Sequence, residues 1–68
     1  MLIEEQIVKY DYDEKDKSSL IEKLASKYKL TEIRDWGSCI ILESFSREIK
    51  AEILIGGNEI HYKVHYHG

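Results

Sequence analysis

The chain has 68 residues, one cysteine and a formal net charge of −3, which allows one compact domain (residues 1–68) of marginal stability unless a metal, a partner or oligomerisation assists. Cys39 has no partner for an internal disulfide, and the mildly acidic balance argues against a protein that binds nucleic acid by neutralising phosphates. The N-terminal segment lacks the features of a signal peptide and no apolar run approaches a membrane span, so we expect a soluble, cytoplasmic protein.

The first predicted element is a strand over residues 2–12, because apolar and polar residues alternate along much of it. The alternation changes phase part-way, which a β-bulge near residues 5–7 would explain. Residues 13–17 are all charged, and we interpret them as a solvated connection to the next element.

An amphipathic helix is predicted over residues 20–28. Ser19 and Glu22 have the spacing of a capping box, in which each side chain accepts a hydrogen bond from the other residue's backbone N–H. The apolar residues that recur along one stripe are Leu20, Ile21, Leu24, Ala25 and Tyr28. This pattern is typical of a helix that packs on a sheet.

Two strands are predicted after the helix, over residues 30–36 and residues 39–45. Gly37 and Ser38 supply the turn between them. A second turn near Ser46 then leads into a β-hairpin over residues 47–67.

The hairpin defines the two faces of the sheet. A tight turn needs residues that tolerate positive φ, which either Gly57 with Asn58 or Gly56 with Gly57 provides. Alternation places one set of side chains on the helix-facing side: Ile49, Ala51, Ile53, Tyr62, Val64 and Tyr66. The other set faces outward: Lys50, Glu52, Leu54, His61, Lys63, His65 and His67. The sequence therefore predicts an α+β fold, an antiparallel β-meander of about five strands with one amphipathic helix packed on one face (β-α-β-β-β-β).

The outward sheet face is the first candidate site. Four residues are expected to form one apolar patch there: Cys39, Ile41, Phe45 and Leu54. The charged residues expected at its rim are Glu43, Lys50, Glu52 and Lys63. A contiguous exposed patch of this kind marks a protein interface, with a partner protein or with a second copy of the chain. The alternative is that Ile3 or Ile7 folds over the patch and covers it.

The histidines of the last strand form the second candidate site, and they are His61, His65 and His67. Imidazoles two residues apart on a strand lie about 6–7 Å from one another and can bind zinc or copper together. Glu48 or Glu52 on the neighbouring strand could add a carboxylate ligand. The alternative is a polar strand face whose charge changes near neutral pH.

The sequence contains no phosphate-binding loop, no dinucleotide-binding fingerprint and no metalloprotease motif. Cys39 and His61 could approach each other across Leu54, but a lone strand cysteine is more often an inert small hydrophobe than a nucleophile. We therefore expect no enzymatic activity and no cofactor other than zinc or copper at the histidines. The sequence predicts a small interaction protein, a regulator or inhibitor of a type that phages also encode, which binds a partner or itself through the open sheet face or an edge strand. The alternative is a metal-binding or pH-sensing module.

Overall fold

The computed structural model describes residues 1–68 and contains one helix and five strands. The elements are β1 (Leu2–Lys9), α1 (Glu14–Tyr28), β2 (Leu30–Asp35), β3 (Cys39–Ser44), β4 (Ile49–Gly56) and β5 (Glu59–Tyr66). The strands form one antiparallel sheet in the order β1-β5-β4-β3-β2, and α1 packs on one face of it. The predicted α+β fold is confirmed.

The first and last strands of the chain are neighbours in the sheet. The Met1 ammonium group donates a hydrogen bond to the Tyr66 carbonyl oxygen at 2.8 Å, and the Tyr66 N–H donates to the Met1 carbonyl oxygen at 2.7 Å. The chain then crosses the sheet through α1 and begins β2 at the opposite edge. The two edges of the sheet are therefore β1 and β2.

The predicted hairpin is confirmed, and its turn consists of Gly57 and Asn58. Both residues have positive φ, 56° and 64°, as a two-residue turn that follows the twist of the strands requires. Gly56 pairs with Glu59 across this turn. The pairing continues from there without a bulge as far as Ile49 opposite Tyr66.

A single hydrophobic core lies between the sheet and α1. Its buried members are Tyr10, Leu24, Leu30, Ile40, Leu42, Ala51, Ile53, Ile60, Tyr62 and Val64. Tyr66 was expected on this side too, but it is 39% exposed because it pairs with Ile49 at the end of the sheet and its hydroxyl donates to Glu48. The core side of the sheet otherwise follows the predicted alternation.

The helix begins six residues earlier than predicted, at Glu14 instead of Leu20. Asp13 is the N-cap, and its side chain accepts a hydrogen bond from the Lys15 N–H at 2.9 Å. The charged run is thus the start of the helix and not a connection, and Ser19 lies within it. The helix ends as predicted at Tyr28, where Lys29 adopts a left-handed conformation and caps the last turn. α1 lacks the length and the apolar character needed to cross a membrane.

β1 is shorter than predicted and ends at Lys9. Tyr10 turns into the core, and Tyr12 has a φ of 60°, so the chain has already left the sheet there. The irregularity of β1 lies between Leu2 and Glu4 and not near residues 5–7. It precedes Glu4, and the regular pairing from Glu4 to Lys9 places Glu4 on the helix side of the sheet, opposite Val64.

Candidate functional site

The face of the sheet away from α1, here called the open face, consists of side chains that lie side by side in rows across the strands, because directly paired residues point the same way. The first row is Leu2, His65, Lys50, Glu43 and Glu32. The second row is Glu5, Lys63, Glu52, Ile41 and Arg34. The third row is Ile7, His61, Leu54 and Cys39. No element of the chain packs over these rows.

The structure brings together three of the four residues predicted to form the apolar patch. Cys39 and Leu54 are paired across β3 and β4, and Ile41 lies one row away on β3. Leu54 is 52% exposed, and Cys39 and Ile41 are half-buried. Ile7 lies at the β1 end of the same row, separated from Leu54 by His61, and is 62% exposed, so it does not cover the other three residues but adds exposed apolar surface to the same face. We call Ile7, Cys39, Ile41 and Leu54 the open-face patch.

Phe45 does not belong to the open-face patch, and its predicted place there is wrong. β3 ends at Ser44, and Phe45 lies in the turn that follows, 87% exposed. It is thus at the far end of β3 from Cys39, about 20 Å away along the strand. Phe45 instead lines a shallow groove of about 340 Å³ with Tyr28 and Ile49.

The predicted rim residues all lie on the open face, but they pair differently from the expected pattern. Glu43 is opposite Lys50 in the register, yet its carboxylate contacts Arg34 at 3.3 Å. The Lys50 ammonium lies 3.9 Å from Glu52 on its own strand. On the β1 side, Lys63 lies 3.7 Å from Glu5. The open face therefore carries both signs of charge, and the ion pairs are partly exposed.

The outer edge of β1 is the most exposed part of the sheet, and only Glu4 among its residues is half-buried. Its exposed apolar side chains are Leu2, Ile3, Ile7 and Val8. An edge strand with apolar side chains and free backbone groups can pair with another strand. The sequence predicts binding at an edge strand but does not identify which strand forms the edge.

The structure does not bring the three histidines to one point. The rings of His65 and His67 are stacked with centroids 6.0 Å apart. His61 is two rows away on β5, and its Nε2 lies 2.7 Å from a carboxylate oxygen of Glu5. No group of three or more potential metal ligands is assembled.

A polar cluster around Glu4 was not identified from the sequence. One carboxylate oxygen accepts hydrogen bonds from the Lys27 ammonium at 2.8 Å and from the Tyr28 hydroxyl, and the other accepts from the Tyr62 hydroxyl at 2.8 Å. The Lys27 hydrogen bond, with those of the two tyrosines, lowers the pKa of Glu4 to about 2. Burial and the bond to Glu4 raise the pKa of Tyr62 to about 12. The cluster fastens β1 to the end of α1, and it was missed because a bulge near residues 5–7 would turn Glu4 to the other face of the sheet.

Comparison of the chain with protein-family models, with curated proteins and with solved structures found no match.

Proposed function

We propose that the chain is a non-enzymatic, cytoplasmic interaction module that regulates or inhibits a partner protein bound on the open face. The observation that carries the proposal is the open-face patch, because Leu54 and Ile7 are more than half exposed and no part of the chain covers them. An apolar cluster on neighbouring strands loses unfavourable contact with water when a partner covers it.

The charges around the patch support a protein partner over a nucleic acid. Arg34, Lys50 and Lys63 each lie within ion-pair distance of a carboxylate of the same chain. These three basic groups are therefore already paired with carboxylates, and they offer no continuous positive surface for phosphates. A ring of paired charges around an apolar centre is the usual arrangement of a protein–protein interface.

The test is capture of partners by the full chain, with Leu54→Glu compared with the parent. Phe45→Glu is the matched control, because it places the same carboxylate on a side chain that is exposed but lies outside the patch. The captured protein is then purified, and its binding to each variant is measured by calorimetry. We expect Leu54→Glu to weaken binding at least about a hundredfold, as truncation of an interface anchor does, and Phe45→Glu to leave it unchanged.

Two results would contradict the proposal. One is that Leu54→Glu binds every captured protein as tightly as the parent does. The other is that Phe45→Glu alone loses binding, which would assign the function to the groove beside the β3–β4 turn. Circular dichroism of both variants separates lost binding from lost folding.

The stacked rings of His65 and His67 favour a second candidate function, metal binding. Two imidazoles with centroids 6.0 Å apart are close enough to bind one zinc or copper ion once the stacked rings rotate so that a nitrogen of each points at the ion, with water or a partner's group completing the coordination. In this proposal His61 is not a ligand, because Glu5 already holds its ring.

Calorimetric titration of the chain with zinc tests this second function. The double variant His65→Ala, His67→Ala should lose the heat of binding, and His61→Ala should retain it. A parent chain that binds no zinc or copper, or a double variant that binds as well as the parent, would remove this candidate.

A further inference from the structure

The outward backbone groups of β1 can be assigned from its pairing with β5. The Tyr10 N–H donates to the Asn58 carbonyl oxygen at 2.8 Å, so Tyr10 faces β5. Backbone groups alternate in direction along a strand, and Val8 and Gln6 therefore also face β5. The N–H and C=O groups that point away from the sheet are those of Glu5, Ile7 and Lys9.

The side chains of residues 5–9 are complementary to the same side chains of a second copy that runs antiparallel to the first. In an antiparallel pairing of two β1 strands centred on Ile7, the two Ile7 residues lie opposite one another. Glu5 then lies opposite the partner's Lys9, and Lys9 opposite the partner's Glu5. All three residues point to the open face, and all three present outward backbone groups, so each would exchange both hydrogen bonds with its counterpart.

Neighbouring registers are less favourable. A pairing centred on Glu5 would oppose two carboxylates, and one centred on Gln6 would set Glu5 against Ile7. Lys9 forms no ion pair within its own chain. Glu5 contacts His61 and Lys63, which both lie on β5, so the outer side of its strand carries no partner for its carboxylate. The bulge between Leu2 and Glu4 lies outside the segment that pairs.

The same register joins the open-face patches of two copies. Ile7 is the last residue of the row that contains His61, Leu54 and Cys39. With Ile7 opposite the partner's Ile7, this row continues directly into the equivalent row of the second copy. At a strand spacing of about 4.8 Å, the joined row would be about 34 Å long, with both helices on the other side of the sheet.

We propose that the outer edge of β1 binds the β1 edge of a second copy of the chain, in the antiparallel register centred on Ile7, to form a ten-stranded sheet. The partner for this edge is thus the chain itself. The proposal rests on the proposed function because both describe an interaction module. It concerns the backbone edge of β1 and not the open face, with Ile7 common to the two surfaces. Loss of self-association and loss of partner capture are measured separately, by Ile7→Lys and Leu54→Glu.

The other edge, β2, is the competing site and provides the control. Ile33 is exposed there, and its backbone faces outward because the Trp36 N–H donates to the Cys39 carbonyl oxygen. However, the regular part of β2 is shorter, since its bulge lies between Leu30 and Glu32. Its charges are also already engaged, because Arg34 contacts Glu43 at 3.3 Å.

Sedimentation equilibrium over a concentration series tests the proposal with the full chain. The parent should show a mass of twice 8.0 kDa, and Ile7→Lys should shift the species to a monomer because it would place two ammonium groups at the centre of the interface. Ile33→Lys, the matched change on the other edge, should leave the dimer intact. A parent that stays monomeric up to millimolar concentration overturns the proposal, and so does dissociation by Ile33→Lys but not by Ile7→Lys.

A charge exchange tests the register. Lys9→Glu alone should weaken dimerisation about tenfold or more, because it turns two attractive cross-strand pairs into repulsive ones. The double variant Glu5→Lys, Lys9→Glu should recover the dimer. Within one chain the double change only adds repulsion, since it sets a cation beside Lys63 and a carboxylate opposite Glu59. Recovery therefore reports pairing between chains, and a double variant weaker than Lys9→Glu overturns the register.

Hydrogen exchange provides a readout that does not depend on any variant. The amides of Glu5, Ile7 and Lys9 should exchange slowly at concentrations where the dimer forms and rapidly on dilution. Slow exchange at the Ile33 amide with rapid exchange at Ile7 would place the interface on β2 and overturn the proposal.

Discussion

Glu4 shows that the predicted face of a side chain depends on where a strand irregularity is placed. Glu4 and its neighbours Ile3 and Glu5 form no recognisable motif, and the alternation of the strand does not distinguish Glu4 from the other polar residues of β1. The bulge lies between Leu2 and Glu4, so the alternation from Glu4 to Lys9 is regular, and the Glu4 carboxylate faces α1 and meets Tyr28 and Tyr62 at the rim of the core. Sequence periodicity detected that a bulge exists in this strand but placed it three residues too late, so it could not find the cluster.

Replacement of Glu4 by Gln should lower the free energy of unfolding by about 1–3 kcal/mol at neutral pH. The amide keeps one acceptor oxygen, but it loses the charge-assisted bonds to Lys27 and to one of the tyrosines. Glu5→Gln is the control, because the Glu5 carboxylate is 40% exposed and its pairs are screened by solvent. Urea denaturation of the two variants and the parent measures the difference. An equal loss in both variants would contradict a special role of the Glu4 cluster.

At the scale of an element, the start of α1 shows that two N-cap signals in the sequence can compete. Ser19 and Glu22 have the right spacing for a capping box, but Asp13 lies before them in the sequence and is the N-cap of the helix. The residues between are charged and were interpreted as a connection, although acidic residues such as Glu14 and Asp16 favour the first turn of a helix. The hairpin turn was predictable because a two-residue loop requires residues that tolerate positive φ. The sequence left two possible positions for the turn, Gly56 with Gly57 and Gly57 with Asn58.

A pair of alanine substitutions distinguishes the two caps. Asp13→Ala should destabilise the protein by about 1 kcal/mol, because the Lys15 N–H loses its acceptor. Ser19→Ala should be neutral or stabilising by up to about 0.5 kcal/mol, since alanine is the better residue inside a helix. Thermal or urea unfolding of both variants provides the comparison. A larger loss at Ser19 than at Asp13 would mean that the helix begins where the capping box lies.

At the scale of the whole molecule, the fold class followed from the sequence but the position of β1 did not. Periodicity identified the strands and the helix, and the short turns of β3–β4 and β4–β5 made those strands neighbours. The long connection through α1 allows β1 to pair at either edge of the meander, and only the packed structure shows it beside β5. The composition of the open-face patch could not be predicted fully for the same reason. Ile7 lies on the open face because β1 pairs with β5, and Phe45 lies outside the patch because β3 ends at Ser44.

The distribution of charge over the whole molecule predicts unfolding in acid. Three carboxyl groups have a lowered pKa: Glu4 through Lys27 and the tyrosines, Glu5 chiefly through its bond with His61, and Asp35 chiefly through the Gly37 N–H at 2.7 Å. The unfolded chain takes up protons at these groups at a higher pH than the folded chain does. Their stabilisation is thus complete above the ordinary pKa, 4.5 for Glu4, and is lost as the pH falls from there to about 2.

Protonation of the carboxyl groups also leaves the molecule with a net positive charge, since the ten lysines and arginines and the Met1 ammonium group remain charged. Their mutual repulsion favours the expanded chain. The unfolding free energy, measured by urea denaturation between about pH 6 and about pH 2, should therefore decline steadily below the ordinary carboxyl pKa. Glu4→Gln should show a shallower decline, because it removes the group whose pKa is lowered to about 2. An unfolding free energy that stays constant over this range would contradict the ion pairs and hydrogen bonds assigned to these three carboxylates.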